Sequence, residues 1–123
     1  MEKIKILVLD DKRIIGDFFG FTLGYHGHEV TVVSCVISAL ELVQKEHFDI
    51  AFIDLVMPQM DGIEALGKIK IICPQLPVVM MSGYSVEEKR KRAEELGAIT
   101  CLKKPFELED IRQAIKLALG REI

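Results

Sequence analysis

Cysteine is scarce in this chain. Cys35, Cys73 and Cys101 are its three cysteines, odd in number, far apart and without a CxxC pair. That spacing fits reduced thiols in a cytosolic protein better than a disulfide framework or a zinc site. Basic charge is not in excess either. Sixteen Lys and Arg stand against 19 Asp and Glu, a formal net charge of -3, so the clustered positive charge that grips a phosphate backbone is missing and direct nucleic-acid binding is not expected. No apolar run approaches the roughly 20 residues of a membrane-spanning helix. The early apolar stretch is broken by Asp10, Asp11, Lys12 and Arg13, unlike a signal peptide. Repeats, linkers and low-complexity tracts are also absent, so a cytoplasmic protein with no membrane partner is expected.

What is present is apolar content of 50% in 123 residues, enough for one well-filled core and too little chain for two ordinary domains. Residues 1–123 therefore read as one domain. Five short runs, residues 4–9, 30–33, 50–53, 78–81 and 99–102, are rich in Val, Ile and Leu and nearly continuous. Such strands are covered on both faces, as in parallel sheets. Between them lie stretches of helical spacing, such as Leu108, Ile111, Ala114, Ile115, Ala118 and Leu119, closed by Gly120. Pro74 and Gly97 mark two more helix stops. The pattern is five βα units, an α/β protein. The chain stops soon after the last helical stretch, so no output domain is expected to follow.

Four of the apolar runs end on chemistry: Asp10-Asp11, Asp54, Ser82-Gly83 and Lys103-Lys104-Pro105. Ligands of open parallel sheets sit outside the carboxyl ends of the strands, so these ends gather into one site. Three carboxylates with Lys104 as the only facing cation would be over-charged. A hard divalent cation relieves this, and an oxygen-rich, partly hydrated site suits Mg2+. One carboxylate can then act as a nucleophile toward a phosphoryl group while a lysine, a hydroxyl and backbone N–H groups hold its oxygens. Any one of these acids alone reads as a turn former or helix cap. Four strand ends agreeing on one chemistry reverse that reading.

With LVLDD at 7–11, FIDLVMPQMDG at 52–62, MSGY at 81–84 and KPF at 104–106, the chain resembles a response-regulator receiver domain over essentially its whole length, and in size the stand-alone receivers of chemotaxis and phosphorelays. The resemblance implies a flavodoxin-like doubly wound sheet of strand order 2-1-3-4-5 with five helices in three α/β/α layers. It makes Asp54 the phosphoacceptor, Asp11 a direct Mg2+ ligand, Asp10 a ligand through water, and the Val56 carbonyl part of the metal shell. Ser82 would bond a phosphoryl oxygen and move toward it as the switch. Lys104 would pair with the phosphate, Lys103 would point the other way, Pro105 would follow a cis peptide, and Asp61-Gly62 would turn into the third helix. The partners implied are a sensor histidine kinase or histidine phosphotransfer protein and a downstream effector protein or output domain. Such a protein catalyses only its own phosphorylation and dephosphorylation and is not a conventional enzyme.

Two departures stand out. Cys101 occupies the position, three residues before the active lysine, where receivers usually carry a Tyr or Phe that swings inward; this shifts output toward the loop after Ser82 and helix four. Val56 and Tyr84, two residues beyond Asp54 and Ser82, are bulky where the hydrolytic water passes, which implies a long-lived acyl phosphate. Elsewhere, Gly16, Gly20 and Gly24 recur every fourth residue in the helical stretch 14–25, read as close packing of helix one. If Ile15, Phe19 and Leu23 face the sheet, Ile14, Phe18 and Phe21 lie to one side as a docking patch that would recruit Phe106. Glu87 with Lys91 and Glu88 with Arg92 have the i, i+4 spacing of a solvated helix face. His26 and His28 read as surface histidines without a third metal ligand. Two related chemistries fit less well. A flavin-binding protein of this architecture wants a hydroxyl- and glycine-rich first loop, and a haloacid-dehalogenase-type phosphatase wants Asp-x-Asp and usually a cap. A receiver acting by contact alone is opposed by Asp54, Asp11 and Lys104.

Overall fold

Val, Ile and Leu form strands where their branched side chains fit a pleated surface buried on both faces. The computed structural model, which describes residues 3–58, 60–83 and 87–123, has β1 at Lys5–Leu9, β2 at Glu29–Val33, β3 at Ile50–Asp54, β4 at Val78–Ser82 and β5 at Thr100–Lys103. Helices α1 (Arg13–Phe19), α2 (Val36–Lys45), α3 (Gly62–Ile72), α4 (Glu87–Glu95) and α5 (Leu108–Leu119) alternate with the strands. All four strand pairings are parallel and the order is β2-β1-β3-β4-β5. This is the flavodoxin-like doubly wound sheet that the resemblance implies.

Alternation along the central strands feeds two cores. Leu7, Leu9, Ala51, Ile53, Val78 and Met80 meet Ala39, Leu66, Ile69 and Ala93 on one face. Ile6, Val8, Ile50, Phe52, Val79 and Met81 meet Phe19, Ile111 and Ile115 on the other. Each such Val, Leu, Ile or Phe contributes about 1.5–3 kcal/mol by leaving water. Coverage on both faces holds for β3 and β4 throughout and for nearly all of β1. It fails at the edges: Val32 on β2 is exposed and β5 is only half-buried, because the helices centre over the interior strands. Ile99 is exposed and precedes β5.

Helix ends follow the stop signals. Asp61 caps α3 by accepting the Ile63 N–H at 2.9 Å, Cys73 closes it before Pro74, and Gly97 and Gly120 take positive φ of 103° and 70° after α4 and α5. The stretch after α1 differs from the expected single α-helix. It continues as a π-helix over Gly20–Gly24, where the Thr22 hydroxyl donates to the Phe18 carbonyl at 2.6 Å and the glycines resist the widening least. Close packing explains Gly16 alone: a Cβ there would lie 2.6 Å from Val32 Cγ1, whereas nothing lies within 4 Å of one at Gly20 or Gly24. Phe19 and Leu23 face the core, Ile14 and Phe21 are exposed, and Phe18 stacks edge-on to Phe106 at 6.0 Å.

One surface reading is corrected, and the charged face of α4 is solvated as expected but pairs differently. His28 is buried, not a surface residue; its Nδ1 accepts the Ile4 N–H at 3.2 Å, and burial, then the charges of His26 and Arg121, hold its pKa below the ordinary value. His26 is exposed, donating from Nδ1 to the Thr22 carbonyl at 2.6 Å. Among the described residues the ion pairs of α4 are Arg90–Glu94 at 3.5 Å and Lys89–Asp61 at 3.2 Å, rather than Glu87–Lys91 and Glu88–Arg92. Lys89 reaches instead to the cap of α3. Tyr84 lies outside the described residues.

Candidate functional site

Parallel pairing places the carboxyl ends of β1, β3, β4 and β5 at one rim of the sheet. Asp10 and Asp11 follow β1, Asp54 ends β3, Ser82 ends β4 and Lys104 follows β5. Loop β3–α3 is pinned beneath them: the Gly62 N–H donates to the Leu55 carbonyl at 2.9 Å, and a Cβ on Gly62 would meet the Asp54 carbonyl and lie 2.6 Å from Leu55 Cα. Only glycine allows the chain to turn so closely behind Asp54. Across the site, the Lys104 N–H donates to the Ser82 carbonyl at 2.7 Å and the Lys104–Pro105 peptide is cis.

The expected acids converge. One carboxylate oxygen from each of Asp10, Asp11 and Asp54 lies within 4.8 Å of the others. Asp10, Asp54 and Ser82 are buried, at 2%, 2% and 3% exposure. Lys104 Nζ lies 2.8 Å from Asp10 Oδ2 and 3.4 Å from Asp54 Oδ1, while Lys103 is exposed. Backbone donors complete part of the shell: Lys12 N–H reaches Asp10 Oδ1 at 2.8 Å and Val56 N–H reaches Asp54 Oδ1 at 3.3 Å. Val56 itself is exposed at the mouth of the cleft.

Lys104 is not the only facing cation. Lys12 Nζ stands 3.6 Å from Asp11 Oδ1 and 3.9 Å from Asp54 Oδ2. Sequence spacing alone hides this contact, because a lysine directly after two acids reads as an exposed start of a helix; only β3 beside β1 brings Asp54 within its reach. Burial acts to lower the Lys12 pKa, but Asp11, Asp54 and Asp10 together outweigh it and raise the value.

The cluster remains unbalanced. Burial, and after it the Asp10 carboxylate, push the Asp54 carboxyl above the ordinary range, and Lys104, the Val56 amide and Lys12 do not cancel them. Asp11 Oδ1 and Asp54 Oδ2 are buried without a hydrogen-bond partner. Buried carboxylate oxygens without a hydrogen bond are costly even with an ammonium at 3.6–3.9 Å, and two of them on neighbouring acids form the oxygen-donor set that a hard divalent cation completes. The residues present therefore fit a metal. Cys101, half-buried on β5, packs against the core on the α2–α4 side, and burial raises its thiol pKa.

Fold and rim together define a flavodoxin-like α/β protein whose strand ends hold an acid cluster and a half-buried lysine, suited to a cation and a phosphoryl group. Residues 6–116 match the response regulator receiver domain family, and the chain belongs to that family. Sporulation initiation phosphotransferase F of Bacillus subtilis is 34% identical over 112 residues, which cover 91% of this chain and 90% of that protein. Response regulator protein FleR of Pseudomonas aeruginosa is 34% identical over 118 residues, covering 95% of this chain but 25% of the relative. The chain thus spans nearly all of one relative and a quarter of another. The crystal structure of chemotaxis protein CheY4 of Vibrio cholerae superposes with a TM-score of 0.89 at 28% identity, over 96% of this chain and 100% of that one. The chain is thus a receiver domain homologous to two-component response regulators, and no catalytic enzyme family is indicated. Among the described residues no helix is long and apolar enough to cross a membrane.

Proposed function

We propose that Asp54 accepts a phosphoryl group from the phosphohistidine of a sensor histidine kinase or histidine phosphotransfer protein, and that the modified domain changes its affinity for an effector protein or output domain. The observation that carries this reading is the division of the Asp54 carboxylate. Its Oδ1 is held by Lys104 and the Val56 amide, while its Oδ2 is buried beside Asp11 Oδ1 with no hydrogen-bond partner. A carboxylate oxygen attacks phosphorus, the phosphorus–nitrogen bond of the donor breaks, and the electron pair leaves with the imidazole. Lys104 remains to pair with the added charge, and Ser82, at the adjacent strand end, supplies a hydroxyl for a phosphoryl oxygen. Asp10, Asp11, Asp54 and the Val56 carbonyl would hold Mg2+, which when bound offsets charge on the phosphoryl oxygens.

Residues 1–123 act as a single cytoplasmic receiver domain, catalysing only its own modification. Phe18 and Phe106, in edge contact beside the site with Ile14 exposed nearby on α1, offer the apolar surface for the histidine-bearing partner. The test is incubation with a small acyl-phosphate donor and Mg2+, followed by mass spectrometry. One acid-stable, base-labile phosphoryl group on Asp54 is expected, and Asp54→Asn should carry none. Equal labelling of that variant would move the acceptor elsewhere.

A further inference from the structure

We propose that Lys12 is a tethered cation that competes with a divalent cation for the acid cluster, and so sets how readily this receiver is loaded with metal. The inference rests on the metal reading above and extends it to Lys12, which is not among the residues that would hold the metal. Asp11 Oδ1 and Asp54 Oδ2 are the two buried side-chain oxygens among the described residues that lack a hydrogen-bond partner, and the ammonium of Lys12 faces both, at 3.6 Å and 3.9 Å. These distances neutralise charge without making a hydrogen bond. Lys12 occupies the approach to the oxygens that a metal would use.

The two lysines of the site differ in commitment. Lys104 is 13% exposed in its side chain and makes a 2.8 Å bond to Asp10; Lys12 is 59% exposed, so its stem can swing into solvent with little packing to lose. Charge balance points the same way. Three carboxylates facing two ammoniums leave one negative charge. Adding a divalent cation with both lysines in place overshoots to one positive charge, whereas adding it while Lys12 withdraws brings the cluster to neutrality. Lys12 is therefore the group that gives way, and its departure opposes metal binding. Because it acts from an exposed position over 3.6–3.9 Å, its effect is screened once salt of about 1 M brings the Debye length down to about 3 Å.

The experiment is calorimetric titration of MgCl2 into the metal-free full chain at low and at high ionic strength, with Lys12→Gln, Lys12→Arg and Asp11→Asn as variants. Lys12→Gln should bind Mg2+ roughly three- to tenfold more tightly at low salt, the gap should narrow as salt rises, and Lys12→Arg should stay near the parent. Equal or weaker binding by Lys12→Gln would overturn the competitor role. If Asp11→Asn loses Mg2+ while Lys12→Gln matches the parent, only the Lys12 proposal falls. If Asp11→Asn binds as the parent does, the metal reading of the site fails and the proposal with it.

Discussion

Asp49 and Asp54 bracket the same strand and meet opposite fates. Just before β3, Asp49 accepts the Lys5 N–H at 2.7 Å and the His47 ring at 3.1 Å; burial works against its ionisation but these bonds outweigh it, and its pKa lies below the ordinary carboxylate value. At the end of β3, Asp54 is buried beside another acid and its pKa is raised. The contrast extends along each rim. At the amino ends of the strands the Ile4 N–H finds His28, and Lys5 Nζ lies 3.1 Å from Glu46 and 3.8 Å from Glu29. At the carboxyl ends two buried oxygens have no hydrogen-bond partner. One rim holds the fold together; the other is left short of positive charge and gives up stability for chemistry.

The largest effect expected from this contrast is at the stable rim. Asp49→Ala strands the Lys5 amide and should cost about 1–3 kcal/mol in urea unfolding at neutral pH. Because Asp49 has a lowered folded pKa, its contribution is present above the ordinary carboxylate value and is lost as pH falls through the folded value. The penalty of the variant should therefore shrink in acid. An undiminished penalty at low pH would assign Asp49 a packing role instead.

At the other rim the sign reverses. Asp54→Asn keeps the shape but removes a buried charge, and should stabilise the metal-free protein by about 0.5–2 kcal/mol at neutral pH. The folded state of the parent binds its Asp54 proton more tightly than the unfolded state does. Stability therefore falls as pH rises from the ordinary carboxylate value through the raised one, and the gain from Asn should vanish below that window. Saturating Mg2+ should narrow the gap by stabilising the parent. A destabilised Asp54→Asn would mean that Lys104, Lys12 and the Val56 amide more than compensate the charge.

The smallest stability effect is expected at Lys103, exposed at the end of β5, where Ala should change stability by no more than about 0.5 kcal/mol and leave signalling intact. Lys104→Ala removes the cation between Asp10 and Asp54 and should impair the response to phosphorylation. Assaying the effector response of both variants separates them. Matching losses would show that the two lysines share the site.

Much of this arrangement is legible in the linear chain because its signals are local. Apolar runs of four to six residues specify strands, Asp61, Pro74, Gly97 and Gly120 mark helix ends, and the polar residues that close the runs at Asp10, Asp54 and Ser82 stand at the rim once the sheet is parallel. Where side-chain hydrogen bonds, local or long-range, decide the outcome, the chain is less readable. Gly20 and Gly24 suggest close packing, yet the backbone there widens into a π-helix around the Thr22 hydroxyl. His28 looks like a loop residue, yet it fills a buried slot against Ile4, 24 positions away.

Local patterning is enough to specify the βα alternation, the residues of the core and the acids and lysine at the strand ends, since hydrophobic period and strand termination are properties of neighbours along the chain. Only the tertiary fold places Asp54 between two lysines, turns Lys12 toward the two buried oxygens proposed to hold a metal, and leaves the carboxyl rim under-neutralised. Those outcomes depend on distances of 2.8–3.9 Å between groups that the strand order β1-β3-β4-β5 brings to one rim, such as Asp10 and Lys104, 94 residues apart, and electrostatic energy depends on that separation and on burial rather than on order along the chain.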